Sequence, residues 1–141
     1  MDHALRRRRV TESLPRMEAE AFLITSQANV RYLTGFSGSN GQLIVTADGG
    51  IFLTDGRYVE QSRHEVPDIR RSFYSGSFSP AFRTACQELG AGRVAFESGH
   101  LTYQAYLDLS GTGVSLVPAS GEVERLRLVK DEEERKCLDA A

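Results

Sequence analysis

Residues 42–55 read QLIVTADGGIFLTD. Two β-rich runs, Gln42–Thr46 and Ile51–Thr54, flank Ala47-Asp48-Gly49-Gly50. Asp-Gly-Gly between two β-rich runs is a strong tight-turn signal, because glycine supplies the backbone angles that a hairpin turn demands. The stretch therefore predicts an antiparallel hairpin. Upstream, Glu20–Thr25 (EAFLIT) predicts a buried strand, and Ser26 is placed to cap a short helix over 27–33 that Gly35 closes. Downstream, Asp55 caps a helix from about Arg57 to Val66, stopped by Pro67.

The second half has a different rhythm. Ile69–Tyr74, Arg93–Phe96 and Val114–Val117 read as strands, the last ending before Pro118. Between them, Ser79-Pro80 opens a helix that Gly90 stops, and Thr102 caps another running through Leu109 to Gly111. Strands alternating with helices imply crossover units and parallel pairing. A hairpin half joined to a wound half predicts an α/β fold: a mixed sheet of about six strands with flanking helices.

The 141 residues, 40% hydrophobic and 26% charged, suit one domain with one core. A net charge of −2 favours no polyanionic partner, so nucleic acid is excluded as the expected ligand. No apolar run approaches the ~18 residues of a membrane span. Cys86 and Cys137 sit in no metal or redox spacing, which fits a reducing, cytoplasmic location. Asp2–Leu14 reads as a helix ending before Pro15. Its run Arg6-Arg7-Arg8-Arg9 spreads over all helix faces, so a solvated helix is expected rather than a binding stripe. His3, His64 and His100 form no metal motif and are expected to be structural or on the surface.

The loop Gly35-Phe36-Ser37-Gly38-Ser39-Asn40-Gly41 carries the chemistry worth weighing. A phosphate loop would need a Lys and a following helix, and here a strand follows. What remains is a loop that brings backbone and small hydroxyls to a pocket, with Phe36 exposed at its start, or else a plain helix-to-strand connection. Arg57 and Tyr58 project from the first turn after Asp55. Arg57 either holds a peptide carboxylate or pairs internally with Asp55. At the far end, Asp131 and Glu134 have capping-box spacing with Glu132 and Glu133 beside them, and Leu138 and Ala141 start an apolar stripe. No stop signal follows, which fits a chain that continues into a longer protein and equally a frayed terminal helix.

Four ordered blocks, LITSQANVRYLTGFSGSNG (23–41), FLTDGRYVEQ (52–61), VAFESGHLTYQAYLDL (94–109) and VERLRLVKDEEERKCLDAA (123–141), together resemble the amino-terminal domain of the creatinase/prolidase family. The nearest likeness is to bacterial Xaa-Pro aminopeptidases and Xaa-Pro dipeptidases. The resemblance implies a ribonuclease-H-like sheet over residues 1–128, with 129–141 beginning a linker helix to a carboxy-terminal catalytic domain. It implies that this second domain, outside the 141 residues, binds two divalent metals, manganese or cobalt, and cleaves the bond before proline. No metal, cofactor or catalytic residue is then expected in this chain, and the isolated chain is expected to be inactive. The implied partners are the catalytic domain, a second copy in a homodimer, and short proline-containing peptides. The implied substrate-binding residues, reaching the partner subunit's active site, are Phe36, Ser37, Ser39 and Asn40, with Arg57 and Tyr58 at the same edge. A non-enzymatic protein-binding module and a creatinase-type amidinohydrolase domain are the alternative readings. The small GFSGSNG loop argues against the amidinohydrolase.

Overall fold

The computed structural model describes residues 2–128. The elements run α1 (His3–Thr11), α2 (Leu14–Met17), β1 (Ala21–Ile24), α3 (Gln27–Thr34), β2 (Gly41–Thr46) and β3 (Gly49–Asp55). A 3-10 turn over Gly56–Tyr58 leads to α4 (Val59–Glu65), then β4 (Arg70–Tyr74), α5 (Phe78–Leu89), β5 (Arg93–Glu97), α6 (Tyr103–Ser110) and β6 (Ser115–Ala119). The backbone is again helical over 122–128.

The six strands form one sheet in the order β4-β3-β2-β1-β5-β6. β2 is antiparallel to both β1 and β3, while β1–β5, β3–β4 and β5–β6 are parallel. The mixed α/β sheet read from the sequence is thus present. Ala47 and Asp48 make the hairpin turn between the Thr46↔Gly49 pair. Gly50 has φ +146, and a Cβ there would run into the Ile44 carbonyl oxygen, so only glycine fits beside β2.

Strand side chains alternate between two apolar layers. Phe22, Ile24, Leu43, Val45, Phe52 and Ala95 face α1 and α3, contributing to a core with Val10, Val30 and Leu33. Leu23, Ile44, Ile51, Leu53 and Val94 point the other way, onto Phe82, Ala85 and Leu109 of α5 and α6. β1 is buried along its whole length, as expected for a central strand covered on both faces.

Local signals predicted most boundaries. The Ser26 hydroxyl accepts from Asn29 N–H, the Thr102 hydroxyl accepts from Ala105 N–H, and Gly35 and Gly90 close their helices with φ +84 and +68. Three expectations change. The first helix stops at Thr11, and Pro15 opens α2 rather than following a single helix. Pro118 lies inside β6, where an edge strand leaves its missing N–H without consequence. The arginine run is not uniformly solvated. Arg6 and Arg7 are buried, donating at 2.9 Å to the Tyr32 and Leu33 carbonyls at the end of α3. Those carbonyls lack helical partners, so the guanidinium groups cap them. Arg6 also lies 4.0 Å over the Tyr32 ring, and Arg7 pairs with Asp68 at 2.9 Å. Among the described residues, no helix is long and apolar enough to cross a membrane. The helix start read at Asp131 and the linker segment 129–141 lie outside the described residues.

Candidate functional site

The small-residue loop connects the C-terminal end of α3 to the start of β2, at the same end of the sheet as the strand-to-helix corner Asp55–Tyr58. Thr34 sets the exit from α3. Its buried hydroxyl donates to the Val30 carbonyl at 2.6 Å and accepts the Phe36 N–H at 3.1 Å. Gly35, in the left-handed region, then turns the chain inward.

The structure corrects the expectation that Phe36 is exposed. It is 1% exposed, with its ring 4.8 Å from Phe52 and edge-on to Tyr58 at 5.2 Å. The glycines explain how a polar loop covers an aromatic ring. A Cβ on Gly38 would overlap the Phe36 ring and lie 2.8 Å from the Tyr58 ring, and one on Gly41 would lie 2.9 Å from Phe36 and 3.0 Å from Phe52. Real side chains there would push the ring out. The glycines therefore permit the loop to close over its own phenylalanine, and this gives them a packing role that the sequence did not separate from a turn role.

Three polar clamps hold the loop's outer surface. Glu65 of α4 accepts the Ser37 N–H and hydroxyl, each at 2.8 Å, and Gln61 donates to both Ser37 and Glu65. The Tyr58 hydroxyl accepts the Ser39 N–H at 3.1 Å and shares a hydrogen bond with the Ser39 hydroxyl at 2.6 Å. Asn40 donates to Asp55 at 2.7 Å and accepts from Gln42 at 2.9 Å, while the Tyr74 hydroxyl donates to Gln42 at 2.9 Å. Asp55 also receives the Arg57 guanidinium through two bonds of 2.9 Å and the Arg57 N–H at 2.9 Å. The internal Asp55–Arg57 pair is thus formed, with Arg57 largely exposed and 5.2 Å from the Tyr58 ring.

These contacts set the local electrostatics. The Arg57 guanidinium, then the Asn40 amide, hold the Asp55 carboxyl far below the usual carboxylate range, and Asp55 raises Arg57 in return. Burial opposes ionisation of Glu65, but the Ser37 N–H and hydroxyl outweigh it, and the net shift is downward. The Ser39 hydroxyl and N–H lower the Tyr58 phenol. The result is a pre-ordered rim of hydroxyls, amides and one exposed guanidinium around a ring. It is suited to hydrogen-bonding a polar ligand.

All six residues named from the resemblance gather here: Ser37, Ser39, Asn40, Arg57 and Tyr58 at the rim, Phe36 beneath it. The sequence reading missed Gln61, Glu65 and Tyr74. Glu65 lies 28 positions from Ser37, and only the packing of α4 beside the loop joins them. The Gln61–Glu65 spacing of one helical turn was the sole local signal.

The Creatinase/Prolidase N-terminal domain profile matches residues 6–129. The chain belongs to the creatinase/prolidase N-terminal domain family. It is 38% identical over 124 residues to the uncharacterized peptidase YqhT of Bacillus subtilis, covering 86% of this chain and 35% of that protein. It is 30% identical over 113 residues to a putative Xaa-Pro aminopeptidase of Mycoplasma genitalium, covering 79% and 31%. Among solved structures, the Xaa-Pro dipeptidase from Bacillus anthracis superposes with a TM-score of 0.86 at 26% identity, over 90% of this chain and 36% of that one. The N-terminal domain of cytoplasmic peptidase PepQ from Mycobacterium tuberculosis superposes with a TM-score of 0.79 at 36% identity, over 86% and 98%. This creatinase/prolidase domain spans about a third of the length of the curated relatives it matches.

Proposed function

We propose that this chain is the dimer-building and substrate-gating amino-terminal domain of a cytoplasmic, proline-specific metallopeptidase. The peptidase hydrolyses the bond before proline as an Xaa-Pro aminopeptidase or dipeptidase. In this reading, a carboxy-terminal catalytic domain holds two divalent metals, manganese or cobalt, which activate the attacking water. The 141 residues bind no catalytic metal and cleave nothing alone.

The supporting observation is the pre-ordered loop on a domain that aligns with about a third of each peptidase-length relative. Ser37, Ser39, Asn40, Arg57 and Tyr58 face short proline-containing peptides at the partner subunit's active site. Phe36 acts from beneath, as the prop that keeps those groups in place. Clamping the rim in advance lowers the ordering cost of binding.

The test is peptide-length kinetics on the full-length peptidase. Ser39→Ala and Tyr58→Phe are expected to raise KM for longer peptides more than for the shortest substrate, with kcat nearly unchanged. Unchanged kinetics across the series would refute the gating role. A coding sequence that lacks the two-Asp, one-His, two-Glu ligand set after Ala141 would leave the non-enzymatic module as the correct reading.

A further inference from the structure

We infer that Glu97, His100 and Glu124 bind one divalent transition-metal ion, best suited to zinc, which fastens the helical segment 122–128 to the sheet. The three come from the end of β5, the loop after it and that helical segment. One imidazole nitrogen and two carboxylate oxygens lie within 4.8 Å of one another. Bonds of ~2.1 Å around a tetrahedral ion space the ligands by about 3.4 Å. Closing the widest pair therefore takes a small swing of the His100 and Glu124 side chains, which are 42% and 38% exposed.

Glu97 is already set as a ligand would be. It is 4% exposed, and its Oε1 is fixed by the backbone N–H groups of Thr25 at 2.7 Å and Ser26 at 2.9 Å. Outer hydrogen bonds of this kind orient metal-binding carboxylates. Its Oε2 turns to the Asn29 amide at 2.5 Å, and the same amide nitrogen reaches Glu124 Oε2 at 3.1 Å. Glu124 Oε2 also meets His100 Nε2 at 2.7 Å. Two carboxylates, one of them buried, thus converge on a single uncharged amide and an imidazole. Among the described residues, Arg127 approaches the Asn29 carbonyl oxygen, at 3.1 Å, and Glu122 is occupied by Arg16 and Arg125. A divalent ion supplies positive charge between the two carboxylates.

Beside the three lies a cavity of about 280 Å3, lined in part by Gly99, Ser120 and Gly121, with room for the ion and a water as fourth ligand. An imidazole with two carboxylates favours zinc-type ions over magnesium or calcium, which prefer oxygen alone.

The test is calorimetric titration of zinc chloride into the chelator-treated 141-residue chain, with magnesium chloride as control. His100→Ala and Glu124→Gln, both at half-exposed positions, are the variants, and circular dichroism checks that they fold. One equivalent of zinc is expected, with each substitution weakening it at least tenfold and magnesium binding at least a hundredfold more weakly. Absence of saturable zinc binding would overturn the assignment. So would zinc binding that neither substitution weakens, since the ion would then sit on other side chains.

Discussion

Replacing Phe36 by Ala tests whether this ring is a prop or a surface contact. The ring is 1% exposed and packed on Phe52 and Tyr58. Truncating a buried phenylalanine costs about 3–5 kcal/mol. At roughly 3 °C per kcal/mol for a domain of this size, the melting temperature should fall by about 9–15 °C. An exposed side chain would cost within about 0.5 kcal/mol. A second substitution sharpens the test. Gly38→Ala sets a Cβ in overlap with the Phe36 ring, an overpacking cost of about 1–3 kcal/mol. With the ring removed, the closest of those overlaps disappears, while the Tyr58 ring stays 2.8 Å away. Urea unfolding of wild type, both single variants and the double variant gives the coupling energy. Gly38→Ala is expected to cost at least about 1 kcal/mol less in the Phe36→Ala background. If the two costs simply add, or if Phe36→Ala costs under about 1 kcal/mol, the loop does not close over its phenylalanine as described.

Two further outcomes follow from the electrostatics. The Glu65 carboxyl sits below its ordinary value because Ser37 donates to it, so the clamp adds stability above the unfolded-state pKa. That stability is lost as pH falls through the lowered folded-state pKa. The Ser37 amide proton shift should therefore hold from neutral pH into the acid range and step only below the usual carboxylate range. The same step in Glu65→Gln would reject this cause. Arg7→Ala should cost about 1–3 kcal/mol by uncapping Leu33, since an unsatisfied buried carbonyl dominates over the half-exposed ion pair to Asp68. Arg8→Ala, at an exposed position, should stay within about 0.5 kcal/mol. Equal losses in thermal melts would return the run to a solvated surface.

The sequence by itself determined what neighbouring residues decide. Ser26 and Thr102 cap, Gly35 and Gly90 terminate, and the Ala47–Gly50 stretch turns the hairpin, because each acts on backbone groups a few residues away. Short continuous apolar runs between these signals were enough for a mixed α/β sheet, and the ordered blocks were enough for the family. Pairings across long separations were not legible. Phe36 reads as an exposed loop residue until Phe52 arrives from β3 and Tyr58 from the corner after it. Arg6 and Arg7 read as solvated until the end of α3 packs against α1 and offers its carbonyls. Glu97, His100 and Glu124 have no motif spacing, and they meet only because parallel pairing of β1 with β5 sets Glu97 beside the start of α3 and the segment 122–128 folds back over it. A side chain's exposure and partners depend on which segments share its space, and that is decided by tertiary packing.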